Sequence, residues 1–243
     1  YNLINQCNNL SIECDERLIK IFKKIYKKNI FFKYGYFSST KKNIKRFDKV
    51  IYAGSLTKYF RKNKSDFTKK SFLKSNINLD NIIGEKLNKF NKTKKIGLSW
   101  KSVVNIYGGL KSLDLKNFEK IFNNDRTIIN LQYGDVNKEI NDLNSYGYKI
   151  YNFNEIDLFN DFDSVISILK NIDIFVTVSN STAHFAGALG VPTILICPKK
   201  SSTYYYWDYE NGKTPWYESV SIIKLQSSIG KTIDLVNKMI DKI

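Results

Sequence analysis

From about residue 94 to its end the sequence alternates between short apolar runs and longer amphipathic ones, and few chain arrangements satisfy that pattern. The runs "KIGLSWK" (95–101), "TIINLQY" (127–133), "KIYNF" (149–153), "IFVTV" (174–178), "TILICP" (193–198) and "VSIIKL" (220–225) are β-branched and apolar. They read as strands, and "IFVTV" has the character of one buried on both faces. Between them, "DLKNFEKIF" (114–122), "VNKEINDLNSY" (136–146), "DFDSVISILKN" (161–171), the stretch 183–189 and a final stretch 229–242 read as helices. Regular alternation of this kind predicts an α/β protein whose parallel sheet carries helices on both faces.

The earlier part is sparser. "LSIEC" (10–14), "NIFFK" (29–33) and "KVIYAG" (49–54) are expected strands, "DERLIKIFKKIYKK" (15–28) an amphipathic helix, and a further short helix is expected near 81–90. The polar, lysine-rich "KFNKTKK" (89–95) is the expected boundary, giving domains 1–93 and 94–243. About three strands is few for a doubly wound half, which usually has five or six, so the first domain reads as truncated. The absence of an initial Met agrees with a missing upstream part.

The 243 residues are 42% hydrophobic and 14% aromatic, enough for a packed core. Thirty-nine Lys and Arg against 23 Asp and Glu leave a net charge of +16. That excess suits an anionic partner such as nucleic acid, a membrane surface or a phosphorylated substrate. The bases are nearly all Lys, however, and Lys, Asn and Ile are abundant together, as an AT-rich genome imposes. The lysine runs at 23–28 and 41–45 lack the arginine-rich or aromatic-interleaved pattern of a nucleic-acid surface, so no specific nucleic acid is expected. Three dispersed cysteines, Cys7, Cys14 and Cys197, suggest neither a disulfide framework nor a zinc site and fit a reducing, cytoplasmic compartment. No apolar run reaches the ~18 residues of a membrane span, and the start lacks a signal-peptide pattern.

The chemistry concentrates in "IDIFVTVSNSTAHFAGALGVP" (172–192). A strand gives way to Ser179–Thr182 and then to a helix that Gly190 stops, with Pro192 just beyond. The turn thus lies at the carboxyl end of a parallel strand, where open α/β sheets bind ligands and where helix N–H groups attract phosphate. His184, the chain's one histidine, stands about one turn into that helix. The bland alternative is that Asn180 or Ser181 only caps the helix and that His184 packs. "SWKS" (99–102), "LKSL" (110–113), "LQYGD" (131–135) and "FNEID" (153–157) follow other strands on the same rim. With Lys101, Lys111 and Gln132, such a rim suits a diphosphate.

Other phosphate and nucleophile motifs are missing. There is no G-x-x-x-x-G-K-[ST], no G-x-G-x-x-G and no G-x-S-x-G, which disfavours P-loop, dinucleotide and hydrolase chemistry. "DFD" (161–163) is better read as a helix cap than as a metal-binding pair. Trp100, Trp207 and Trp216 read as packing residues, and "TYYYWDY" (203–209) as a loop packed over the site.

At this point "SNSTAHFAGALGVPTILICP" resembles the donor segment of GT-B glycosyltransferases of the heptosyltransferase-like kind, glycosyltransferase family 9, often written D-T-x-x-x-H-x-A-G-A-L-G. It is most similar to the glycosyltransferase domain attached to tetratricopeptide repeats in bacterial proteins. The blocks "ECDERLIKIFKK", "AGSLTKYFRKNKSDF", "KIGLSWKS", "KSLDL", "NLQYGD", "DFDSV" and "WYESVSIIKLQ" carry the likeness through nearly the whole chain. The resemblance implies a GT-B fold of two Rossmann-like domains. It also implies transfer of a sugar from a nucleotide-diphosphate donor to a saccharide, lipid-linked or protein acceptor, with inversion and without an obligatory metal or other cofactor. On the matched positions it puts Lys101, Lys111, Ser112, Asn180, Ser181, Thr182 and His184 at the diphosphate. Gln132, Tyr133, Glu155 and Asp157 would line the nucleotide pocket, and Gly54 and Ser55 would face the donor from the first domain. A peripheral contact with the inner face of the membrane goes with a lipid-linked acceptor. Two departures stand out: Ser179 occupies a position that is often acidic, and no catalytic base is assigned, because the family's base comes from an early part of the first domain that this chain is expected to lack.

Overall fold

The computed structural model describes residues 7, 9–37, 45–103, 108–197, 204, 206–207 and 212–243. The chain forms two compact units, Tyr1–Thr68 and Lys69–Ile243. Residues 69–93, grouped above with the first domain, therefore pack with the second.

In the first unit β1 (Ser11–Cys14), α1 (Glu16–Ile25) and β2 (Ile30–Lys33) make a βαβ turn whose two strands pair in parallel from Ser11↔Ile30 to Cys14↔Lys33. Asp15 caps α1, its carboxylate accepting Arg17 N–H at 3.0 Å. Glu13 accepts Gly35 N–H at 2.7 Å and Phe37 N–H at 2.9 Å and so closes the turn after β2. Ile21 of α1 and Phe31 of β2 are the buried contacts.

The third strand expected at 49–54 does not form. Residues 49–52 pair with no strand, Val50 and Tyr52 are exposed, and Ala53–Leu56 is a 3-10 turn leading into α2 (Thr57–Phe60). A β-branched run needs a neighbouring strand and a surface to cover, and among the described residues this one has neither.

The second unit follows its sequence pattern closely. Its elements are α3 (Ile77–Leu87), β3 (Lys94–Ser99), α4 (Gly108–Lys111), a 3-10 segment (Leu115–Ile121), β4 (Arg126–Asn130), α5 (Asn137–Ser145), β5 (Ile150–Tyr151) and α6 (Phe162–Lys170). Then come β6 (Ile174–Val178), α7 (Ser181–Leu189), β7 (Thr193–Cys197), β8 (Val220–Lys224) and α8 (Ile229–Lys242). All six strands are parallel, in the order β5-β4-β3-β6-β7-β8. This is the doubly wound Rossmann order, with its topological switch point between β3 and β6.

Successive residues of the buried strands serve opposite faces. Ile174 and Val176 join Ile96, Leu98, Ile128 and Ile194 in a core that also takes Phe118, Ile140, Ile233 and Val236. Phe175 joins Ile129 and Leu131 on the other face, under Ile83 and Leu87 of α3 and Val165, Ile168 and Leu169 of α6. Each such side chain contributes about 1.5–3 kcal/mol by leaving water, which accounts for the attachment of α3 to this unit. Asn171 adds a polar tie, donating to Asp80 O at 3.1 Å. The segment 114–122 winds as a 3-10 helix rather than an α-helix, with Asp114 and Asn117 capping it reciprocally. The last helix, α8, stays on its own sheet, where Asp234 pairs with Lys120 at 2.6 Å and Ile240 O accepts from Lys94 Nζ at 2.8 Å.

Candidate functional site

The polar residues that follow β3 and β6 meet at the switch point. Gln132, just beyond β4, turns its Oε1 back across β3 and accepts from Ser99 Oγ at 3.0 Å, Trp100 N at 2.9 Å and Lys101 N at 2.7 Å. Asn180, at the end of β6, caps α7 by accepting Ala183 N–H at 3.1 Å on Oδ1. Its Nδ2 donates to Ser99 Oγ at 2.8 Å. Gln132 and Asn180 are thus consumed in holding the rim together. Both are buried, and as buried polar groups they are hydrogen-bonded within the protein.

The rest of the rim is built in the same way. Ser112 Oγ accepts from Ser102 N at 3.1 Å and donates to Gly108 O at 2.7 Å, folding the "LKS" turn onto "SWKS". Gly108 is required there, because a Cβ would stand 2.3 Å from Ser102 O. Leu113 N–H donates to Trp100 O at 2.8 Å. These bonds put Lys111 beside the residues that Asn180 and Gln132 hold.

The two lysines differ. Lys101 Nζ pairs with Glu139 Oε1 at 2.5 Å, and Trp100 Nε1 donates to the other oxygen of the same carboxylate at 2.8 Å. Lys111 is 4% exposed and has no carboxylate partner among the described residues. Its ammonium lies 3.6 Å from the ring centroid of Tyr204, a cation–π contact. Tyr204 stacks on Tyr206 at 5.2 Å, and Tyr206 meets His184 edge-on at 5.2 Å. Tyr204 and Tyr206, two of the three described residues of the aromatic segment, thus connect Lys111 to His184.

His184 stacks on Trp207 at 4.7 Å and 26°, and its Nδ1 lies 3.1 Å from Tyr217 Oη. A little ring surface remains open, but desolvation among these aromatics lowers its pKa from 6.5 to about 4. Burial raises that of Tyr217 from 10.0 to about 12. Both groups are neutral at pH 7. Ser181 is exposed and Thr182 buried, and their N–H groups at the start of α7 have no acceptor among the described residues.

Beyond β4 and β5 lies a cavity of about 330 Å³, lined among others by Asn130, Gln132, Tyr133, Asn137, Asn152 and Asp157. Tyr133 and Phe159 flank it with ring centroids 5.9 Å apart. No lysine or arginine lines it, so it offers amides and aromatic edges rather than positive charge. Asp157 is tied into its own turn by Phe159 N at 2.9 Å and Asn160 Nδ2 at 2.8 Å, and these bonds lower its pKa, that from the Asn160 side chain most. Glu155 lies outside the cavity and pairs with Lys86 on α3.

Gly54 and Ser55 lie exposed in the 3-10 turn of the first unit. Asp161 of "DFD" caps α6 through Ser164 N at 3.1 Å. Among the described residues no group of three His, Cys, Asp or Glu side chains is placed to hold a metal, and no helix is long and apolar enough to cross a membrane. The sequence reading missed Ser99, Glu139, Gly187 and Tyr217. "WYESV" stands out only as a block, and nothing in it says that its tyrosine reaches the histidine.

No family model matches the chain. It is 31% identical to Protein FlbA of Caulobacter vibrioides over 137 residues, 55% of this chain and 22% of that protein. The ADP-heptose lps heptosyltransferase II of E. coli overlays 75% of this chain on 58% of its own, with 11% identity and a TM-score of 0.48. The glycosyl transferase family 9 structure from Veillonella parvula overlays 70% on 54%, with 8% identity and a TM-score of 0.49. The chain spans less than a quarter of the curated relative and little more than half of either solved structure.

Proposed function

We propose that the second unit is the donor-binding half of a GT-B glycosyltransferase, and that the first unit belongs to its acceptor-side half. The observation that carries this reading is Lys111, a buried ammonium that among the described residues faces an aromatic ring and no carboxylate, on the rim of a Rossmann switch point. A buried cation without a counter-anion is costly unless a ligand supplies one. The Ser181 and Thr182 N–H groups at the α7 start are the second set of donors for the same anion.

The cavity beyond β4 and β5 takes the nucleoside, and its lining of amides, aromatic edges and the Asp157 carboxylate, with no cation, suits a base and ribose better than phosphate. The diphosphate then runs toward Lys111, the α7 start and His184. As the bond from the anomeric carbon to the diphosphate oxygen breaks, negative charge grows on the leaving group. Lys111 and the aligned N–H groups stabilise it there, which lowers the barrier without asking a metal to do so. An acceptor hydroxyl, from a saccharide, a lipid-linked sugar or a protein side chain, displaces the nucleotide directly with inversion. In this reading Lys101, Ser112, Asn180 and Gln132 shape the rim, and the base that deprotonates the acceptor is not assigned. A cytoplasmic place near the inner face of the membrane follows if the acceptor is lipid-linked.

Isothermal titration of the chain with ADP, GDP, UDP and CDP tests the reading. Micromolar binding of one nucleotide, lost in Lys111→Ala, is expected. Binding of none, or binding indifferent to Lys111, removes it. Nucleotide binding without transfer from the matching nucleotide sugars to any acceptor favours a nucleotide-binding module instead.

A further inference from the structure

We propose that Tyr217 is a positioning residue for His184: its phenol O–H donates to Nδ1, so that the neutral imidazole carries its proton on Nε2 and presents that N–H as its donor. The inference rests on the reading of the rim as a diphosphate site, and it assigns to that site a residue to which the sequence reading gives no role.

The geometry fixes both partners. His184 cannot swing freely, because Trp207 stacks on its ring at 4.7 Å while Tyr206 closes on it edge-on. Tyr217 is fixed from the other side by Gly187, one turn after His184 on α7. A Cβ at 187 would stand 2.4 Å from Tyr217 Cγ, so the phenol ring lies directly on the helix backbone. The contact therefore accounts for the first glycine of "HFAGALG". With ring and phenol both held, Oη and Nδ1 meet at 3.1 Å.

The direction of this hydrogen bond follows from acidity. A phenol is a stronger acid than a neutral imidazole N–H, and an imine nitrogen is a better acceptor than a phenol oxygen, so O–H to Nδ1 is the favoured sense. Nε2 then keeps the proton, and it has no hydrogen-bond partner among the described residues. The tautomer matters because the ring is neutral at pH 7 and owns a single N–H. With the proton on Nδ1, the ring would spend it on Tyr217 and face a phosphate oxygen with a lone pair. With the proton on Nε2, it adds a directional donor beside the charge that Lys111 supplies.

The chain has one histidine, so ¹⁵N-histidine labelling yields one pair of imidazole nitrogens with no assignment problem. The test records their proton-coupled ¹⁵N shifts at pH 7 in the wild type, Tyr217→Phe and Gly187→Ala, and titrates each with ADP, GDP, UDP and CDP. Tyr217→Phe keeps the ring packing and removes only the hydroxyl; Gly187→Ala keeps the hydroxyl and displaces it. The wild type is expected to hold the Nε2–H form, both variants to exchange between tautomers, and both to bind the preferred nucleotide about three- to tenfold more weakly. An Nδ1–H form or a mixture in the wild type overturns the inference whatever the titration shows. The expected tautomer with unchanged affinity in Tyr217→Phe, when Lys111→Ala abolishes binding, also overturns it and leaves the diphosphate site standing. Failure of every nucleotide to bind the wild type overturns the site, and the inference with it.

Discussion

Asn180 Nδ2 donates to Ser99 Oγ at 2.8 Å across the switch point, fastening the first turn of α7 to the end of β3. The same side chain caps α7 through Oδ1, so one residue decides both where the helix starts and where its open N–H groups point. The bland and the functional readings of this turn therefore meet. Asn180 caps the helix, and the Ser181 and Thr182 N–H groups beside that cap, without an acceptor among the described residues, are the ones assigned to a ligand in the proposed reading.

Asn180→Ala removes the cap and leaves the buried Ser99 hydroxyl without its donor. We expect about 2 kcal/mol lost in urea unfolding. Asn180→Asp keeps an acceptor for Ala183 N–H but cannot donate to Ser99, and is expected to lose about half as much. Equal losses in the two variants would mean that the tie to β3 contributes everything and the cap nothing.

Gln132→Ala strips the acceptor from Ser99 Oγ, Trp100 N and Lys101 N together. Leaving these buried donors unpaired costs on the order of 3 kcal/mol, readable as a lowered urea midpoint at constant slope. Among rim substitutions this one is expected to cost the most stability.

Lys111→Met separates stability from binding. Replacing a buried ammonium that has no carboxylate partner among the described residues by an apolar chain of similar length is expected to raise stability by about 1 kcal/mol, measured by thermal or urea unfolding. Nucleotide affinity is expected to fall at the same time. Destabilisation by the substitution would show that Tyr204 alone is sufficient company for the charge.

Stability should depend on pH through His184 and Tyr217. His184 ionises at about 4 in the folded chain against 6.5 when unperturbed, so between those values the unfolded state binds more protons. Its contribution is complete above pH 6.5 and declines on acidification toward pH 4, by up to about 3 kcal/mol. Tyr217 has the opposite sign: raised from 10.0 to about 12, its contribution is complete below pH 10.0 and is lost as pH rises toward 12. Urea unfolding of wild type and His184→Gln across pH 4 to 7 checks the acid limb, since the difference between them should change steadily from pH 6.5 toward pH 4 if His184 titrates there and stay constant if it does not.

Tyr133→Ala should weaken the preferred nucleotide about five- to a hundredfold, because stacking of a base on an aromatic ring contributes about 1–3 kcal/mol. Glu155→Gln should leave the affinity unchanged, since that carboxylate pairs with Lys86 outside the cavity. The reverse ranking in a titration would move the nucleoside out of the pocket beyond β4 and β5.

Much of the second unit was legible in the amino-acid order. Period-two apolar runs and amphipathic helices are local properties, so β3, β4, β6, β7, β8 and α8 stand where the pattern puts them. Local chemistry also announced the caps at Asp161 and Asn180 and the stop at Gly190, which is left-handed with φ +79°. The run at 49–54 misled for a related reason: its residues suit a strand, but a strand exists only where another chain segment pairs with it.

Tertiary structure alone decided what the polar residues do. Lys101 and Lys111 look alike in sequence, yet Glu139 reaches one, and a tyrosine nearly a hundred positions away covers the other. Gln132 reads as pocket lining and proves to be a strut as well, because β4 lies beside β3 in the sheet. His184 and Tyr217 are 33 residues apart, and only the packing of a phenol on Gly187 brings their polar atoms within 3.1 Å. Local sequence determines backbone preference within a turn or a strand; the partner of a buried charge or hydrogen-bonding group is set by which distant segment fills the space beside it.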